Sequence, residues 1–168
     1  MSGGSGDAGG GFLLELFREE ARTHTGVLAQ GLVELEQDPG DPTKIEPLMR
    51  AAHSVKGAAR IVRIEPAVRL AHIMEDLLVA AQHGRLRMES AHIDLLLEGT
   101  DRLLEIAEAT AQAFDPWIAE NGAALSQLID RLERAAKGEF APPPTASPAA
   151  VSPAAASPAA APPAIVAA

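Results

Sequence analysis

The residues with the most chemistry to offer form one run, His53-Ser54-Val55-Lys56-Gly57-Ala58-Ala59-Arg60, followed by His72-Ile73-Met74-Glu75 in the next amphipathic segment. A neutral imidazole is nucleophilic at one ring nitrogen and a donor at the other, and its charge state is tunable near neutral pH. A carboxylate that accepts the ring N–H fixes the tautomer and raises the basicity of the attacking nitrogen. An ammonium nearby neutralises charge on a transferred phosphoryl group. His53, Glu75 and Lys56 together supply the receiving half of a phosphoryl-transfer site, where positioning and electrostatics govern the reaction.

Both runs lie on amphipathic helices, and the helical wheel says which way each residue points. At about 100° per residue, Leu48, Ala52, Val55, Ala59 and Val62 fall within about 40° of one direction, the core face. Lys56 then stands about 80° from that direction, Arg60 about 120° and His53 about 140°, with Gly57 nearly opposite the core. A glycine inside a helix costs roughly 1 kcal/mol against alanine, which makes sense if a partner must approach the backbone there. On the following helix Ala67, Leu70, Ala71, Met74, Leu77, Leu78 and Ala81 form the core stripe. His72 and Glu75, one turn apart, share a flank that Val68 and Val79 extend at either end, the pattern of a docking surface. If the two helices pair as a hairpin, Glu75 reaches the ring of His53.

The elements that carry these residues are all helical. Aromatics are 3% of the chain and tyrosine is absent, so strand signals are few. The periodicity predicts a first helix over 12–37, with apolar positions at Leu13, Phe17, Leu28, Leu32 and Leu35, ended by Asp38-Pro39-Gly40-Asp41-Pro42. A second runs over 43–62, where Thr43 and Glu46 have capping-box spacing and Pro47 blurs the start. A third runs over 66–82, opened by Pro66 and closed at His83-Gly84. The fourth covers 89–113, starting near Glu89 or Ser90 and broken at Asp115-Pro116. A fifth covers 117–137, with Trp117 as its packing anchor. Short connections make neighbours antiparallel, so the expected architecture is all-α: an up-and-down four-helix bundle with an appended fifth helix.

At 168 residues the chain accommodates one domain with a core, over 12–138, and two tails. Residues 1–11 are glycine-rich and expected to be flexible; 139–168 are rich in proline and alanine and expected to be a disordered, extended linker. A net charge of −9 disfavours nucleic acid and anionic lipid as partners. The absence of cysteine excludes disulfides and thiolate metal sites, and suits a reducing cytoplasm. No signal peptide or membrane-spanning run is present, so a soluble cytoplasmic protein with no membrane insertion is expected.

Ala-Ala-His53-Ser-Val-Lys56-Gly57-Ala-Ala resembles the phospho-acceptor motif of histidine phosphotransfer (HPt) domains. With His72-Ile-Met-Glu75-Asp-Leu-Leu downstream, the pattern is similar to the N-terminal domain of CheA-type chemotaxis histidine kinases, and within them to the hybrid kinases of Wsp-type surface-sensing pathways. The resemblance spans residues 12–137. It implies that His53 is phosphorylated by the ATP-binding domain of the kinase, commonly in trans within a dimer, and hands the phosphoryl group to an aspartate of a response-regulator receiver domain. Glu75 would hydrogen-bond His53, Lys56 and His72 would complete the polar network, and Gly57 would admit partners. Many HPt sequences are glycine-rich where this one reads Ala58-Ala59-Arg60-Ile61, so Arg60 adds a charge that bears on partner preference.

Two other classes are weighed against this. A di-iron bundle needs repeated Glu-x-x-His and two further inward glutamates, whereas His72-x-x-Glu75 has the reverse order, occurs once and faces out. A purely structural helical module need not take a phosphoryl label at His53. His24, His83 and His92 match no motif. The chain has no nucleotide-binding loop and no receiver-type acidic pocket, so no cofactor or metal is expected in it. ATP and magnesium would arrive with the partner domains, and the isolated domain is expected to be monomeric and without kinase activity of its own. The proline-rich tail reads as a tether from an N-terminal piece to the rest of a larger kinase.

Overall fold

The structure, a computed structural model, describes residues 5–39, 41–111 and 114–139. Five helices make it up: α1 (Ser5–Gln37), α2 (Pro42–Ile61), α3 (Glu65–Gln82), α4 (Ser90–Ala109) and α5 (Phe114–Ala136). α1 packs on α2 and α4, and α3 packs on α2 and α4, which closes a four-helix bundle. α5 lies across α3 and α4 as the appended helix. The all-α bundle expected from periodicity is the fold observed.

Burial follows the apolar stripes. On α1, Phe17, Ala21, Leu28, Leu32 and Leu35 are fully buried at three- and four-residue spacing. Thr25 completes that stripe because its hydroxyl donates to the Ala21 carbonyl at 2.7 Å, so no polar group is left unpaired. Leu13, expected in the same stripe, is instead exposed. Ala81 is half-buried, and Val62, also expected inside, is half-buried at the C-cap of α2, past the helical end.

The helix ends show where local chemistry outranked the expected boundaries. α1 begins at Ser5, so the glycine-rich start is helical from there on. Extending an existing helix adds one hydrogen bond per residue without a new nucleus, and that outweighs the weak propensity of glycine. α2 is capped by Asp41 rather than Thr43: its Oδ1 accepts from the Thr43 N–H at 2.9 Å and the Thr43 hydroxyl at 2.6 Å, with Pro42 at the first helical position. α4 stops at Ala109, short of the expected 113, and Asp115-Pro116 belongs to the first turn of α5. Proline is tolerated there because first-turn N–H groups have no partner within the helix, so it opens α5 rather than ending α4. α2, α3 and α5 all close with an N–H reaching back five residues, from Ile64 to Ala59, Arg85 to Ala80 and Glu139 to Arg134. Gly84 and Gly138 take the left-handed position of two of these closures, and Arg63 takes it in the third, at φ 60. Residues 140–168 lie outside the described residues, as do 1–4.

Charged pairs on the outside tie helices together. Arg22 grips Glu108 through Nε and Nη2 at 2.7 and 3.0 Å, joining α1 to α4, and Arg131 reaches Glu98 at 2.9 Å, joining α5 to α4. His92 is buried at the start of α4, where its Nδ1 accepts from the Glu89 N–H at 3.2 Å. Burial holds its pKa below the usual histidine value, so the ring is neutral near pH 7.

Two glycines let helices approach closely, and a third does not. A Cβ on Gly31 would lie 2.6 Å from Leu48 Cδ2, and one on Gly99 would lie 2.8 Å from Met74 Sδ, whereas one on Gly57 would meet nothing within 4 Å. Gly31→Ala should therefore destabilise the fold by about 1 kcal/mol or more, since Leu48 must leave its rotamer. Gly57→Ala should stabilise it by roughly 0.5–1 kcal/mol through helix propensity. Urea unfolding of the two variants checks the opposite signs.

Candidate functional site

α2 and α3 form the hairpin that carries the site. Leu48, Ala51, Ala52, Val55 and Ala59 of α2 bury against Leu70, Ala71, Met74 and Leu78 of α3 in one core. With that face fixed, His53 must project away from the core and Glu75 must project along the seam. The wheel's expectation holds: the His53 side chain is 67% exposed, and Gly57 and Arg60 are exposed beside it.

Glu75 is the centre of the arrangement. Its Oε1 lies 3.0 Å from His53 Nδ1 and its Oε2 lies 2.5 Å from Lys56 Nζ. A carboxylate only accepts, so Nδ1 carries the proton and donates, which leaves the lone pair on Nε2. Glu75 and Lys56 are mostly buried at the seam, with 18% and 16% of their side chains exposed, while the ring they orient stands in solvent. Burial pushes the Glu75 carboxyl up, but hydrogen bonds from Lys56 and His53 and the charge of Lys56 outweigh it and hold the group below the ordinary glutamate value. The site at neutral pH is thus a fixed anion holding an oriented imidazole.

Lys56 meets Glu75 directly, so in this state its charge serves the carboxylate. His72 is not brought into the cluster: it is exposed on α3 with Nε2 3.6 Å from Asp76 Oδ2. The i,i+4 position of Asp76 supplies a nearer partner than anything across the seam. Val68 is half-buried and packs against the core, and Val79 is half-buried. Among the described residues no group of three or more His, Cys, Asp and Glu side chains stands where it could hold a metal ion.

One feature escaped the sequence reading. Phe12, Leu13 and Leu16 of α1 and Ile61 of α2 are exposed, Phe12 to 69% and Ile61 to 66%. An apolar groove of about 300 Å³ runs between these helices, lined by Leu13, Leu16, Ser54, Ala58 and Ile61. Ser54 also lines the groove beside His53, so the apolar strip and the ring lie on one continuous face. The available signal was Leu16, an apolar residue off the α1 core stripe.

A family model described as the Hpt domain matches residues 13–138. The chain is 39% identical over 88 residues to the chemotaxis protein CheA of Halobacterium salinarum, a stretch that covers 52% of this chain and 13% of that protein. It is 29% identical over 130 residues to the chemotaxis protein CheA of Bacillus subtilis, covering 76% of this chain and 19% of that one. The matches thus span less than a fifth of the length of these relatives. Among solved structures, the phosphorylated P1 domain of CheA3 in complex with CheY6 from R. sphaeroides has the same fold, with a TM-score of 0.61 at 22% identity over 73% of this chain and 97% of that one.

The geometry makes the Glu75 carboxyl a direct reporter of the cluster. Its NMR titration midpoint should lie below the ordinary glutamate value of 4.5, and Lys56→Met should move it upward. The stability it contributes is present above that ordinary value and should fall away as pH drops through the lower, folded midpoint. Thermal unfolding between pH 6 and 3 should show this loss in the wild type and less of it in Lys56→Met.

Proposed function

Since the chain belongs to the Hpt domain family, we propose that it is the phosphotransfer domain of a CheA-type histidine kinase, with His53 as the phospho-acceptor. The observation that carries this reading is the pairing of an exposed ring with a buried, charge-held carboxylate at its Nδ1. Nε2 attacks the phosphorus of an incoming donor as the leaving oxygen departs with its electron pair, and the proton stays on Nδ1 against Glu75. The resulting positive character of the ring is balanced by that carboxylate, which orients the ring and does not itself take the phosphoryl group.

The donor is ATP bound with magnesium on the ATP-binding domain of a dimeric parent kinase, while this domain by itself is monomeric. The acceptor is an aspartate of a response-regulator receiver domain. The similar CheA3 structure is of a phosphorylated P1 domain in complex with CheY6, which supports a receiver as partner. The receiver lies over the apolar strip of Phe12, Leu13, Leu16 and Ile61, and the bare backbone at Gly57 lets its acidic pocket come within transfer distance of His53. Arg60 flanks the same face. No described helix is long and apolar enough to cross a membrane. A kinase and a receiver that share this phosphoryl group would meet in the cytoplasm.

The test is radiolabel transfer with a CheA-type kinase core, ATP and magnesium. His53→Gln should abolish labelling without changing helicity, and Glu75→Gln should slow it by about tenfold as the ring loses its anchor. Undiminished labelling of His53→Gln would place the acceptor elsewhere. Absence of labelling in the wild type with a cognate core would instead favour a structural module.

A further inference from the structure

We propose that Arg50 is a phosphoryl-binding residue of this site, held by Glu46 until a phosphoryl group approaches His53; the proposal rests on the phosphotransfer reading above. The ring of His53 lines an open groove of about 610 Å³ together with Glu46, Met49, Arg50, Ser54, Glu75 and Gln82. A group carried on Nε2 needs cationic partners there. Lys56, the nearest candidate from sequence, is already committed: its ammonium sits 2.5 Å from Oε2 of Glu75, the oxygen that His53 does not engage. Drawing it to the phosphoryl group would remove the charge that keeps Glu75 ionised and the ring oriented. Arg60 is two helical turns along α2 from His53, and it is not among the residues lining the groove.

Arg50 is placed differently. It precedes His53 by three residues, so their Cβ atoms are about 5–6 Å apart on the same side of α2. Helical side chains lean toward the N-terminus, so the His53 ring extends over the turn that carries Met49 and Arg50. The Arg50 side chain is 78% exposed, and its Nη2 contacts Glu46 Oε1 at 2.5 Å, an i,i+4 pair on the surface. Exposed pairs of this kind are weak. A phosphoryl group offers up to two negative charges and three acceptor oxygens that match the guanidinium fork, so it outcompetes one solvated carboxylate. Glu46 lines the same groove and repels an incoming phosphoryl group when Arg50 leaves it. The pair is therefore a charge relay in which Glu46 sets how readily Arg50 becomes available.

The chemistry can be followed with a small donor, so that Arg50 is tested apart from any docking partner. With phosphoramidate, the Nε2 lone pair forms the new N–P bond, the donor's P–N bond breaks with its electron pair leaving on ammonia, and the ring keeps its Nδ1 proton. The experiment incubates the full chain with phosphoramidate and follows phosphohistidine by phosphorus NMR, comparing wild type, Arg50→Gln, Arg50→Lys and Glu46→Gln. Arg50→Gln should be phosphorylated about tenfold more slowly, with a weaker dependence on salt, and Arg50→Lys should recover part of the rate. Glu46→Gln should react about two- to threefold faster than wild type. Circular dichroism and the Glu75 titration should be unchanged in all three, which separates phosphoryl binding from a structural effect. Labelling of Arg50→Gln at the wild-type rate would overturn the role of Arg50 while leaving the phosphotransfer reading intact. No label on wild-type His53 would overturn both.

Discussion

The candidate site is organised around one carboxylate at the seam of two helices. Glu75 of α3 accepts from His53 and from Lys56 of α2, with each oxygen committed to one partner. The lysine keeps the carboxylate ionised despite its burial, and the ionised carboxylate decides which ring nitrogen carries the proton. In the proposed reaction, nucleophilicity at Nε2 is thus set by a contact on the far side of the ring. Without Lys56 Glu75 would lose one of the two partners that offset its burial, and without Glu75 the exposed ring would sample both tautomers.

The bundle exists to hold that seam in register. His53 and Lys56 are three residues apart on α2, so one rotation of the helix positions both, and that rotation is set by Leu48, Ala52, Val55 and Ala59 in the core. On α3 the same role falls to Leu70, Ala71, Met74 and Leu78. Gly31 admits Leu48 against α1, and Gly99 admits Met74 against α4, so both helices of the hairpin are seated closely on their other neighbours. Chemistry and scaffolding are separated by face: the core stripes of α2 and α3 carry no charge, and the seam between them carries the site, with the His53 ring outward. Among the described elements α5 contacts α3 and α4 only, so it supports the hairpin from the side away from α2.

Much of this was legible in the amino-acid sequence because helical periodicity converts directly into direction. The wheel places His53 outward and Val55 inward, and it places Glu75 off the α3 core, within reach of the ring. Boundaries were less legible. Pro116 and Asp41 act through hydrogen bonds of helix termini, and the same residue types serve equally as stops or starts. His72 shows the limit of spacing arguments: sharing a flank with Glu75 did not join it to the cluster, because Asp76 one turn on was the closer partner. Lys56 joins the polar network that the resemblance implies, although a wheel gives angles and not which oxygen an ammonium will meet. The apolar strip of Phe12, Leu16 and Ile61 was missed for a related reason. These residues lie off the core stripes of their helices, and only the packing of α1 on α2 brings them together into one exposed strip.

In the proposed reaction Glu75 fixes the His53 tautomer so that Nε2 is the reacting atom. Long-range proton–nitrogen correlation NMR of the histidine rings, recorded before and after phosphorylation, tests it most directly. The Nδ1–Glu75 contact requires a ring protonated at Nδ1 in the unmodified domain and phosphorus attached at Nε2 afterwards. An Nε2-protonated ring in the free domain, or phosphorus on Nδ1, would contradict it.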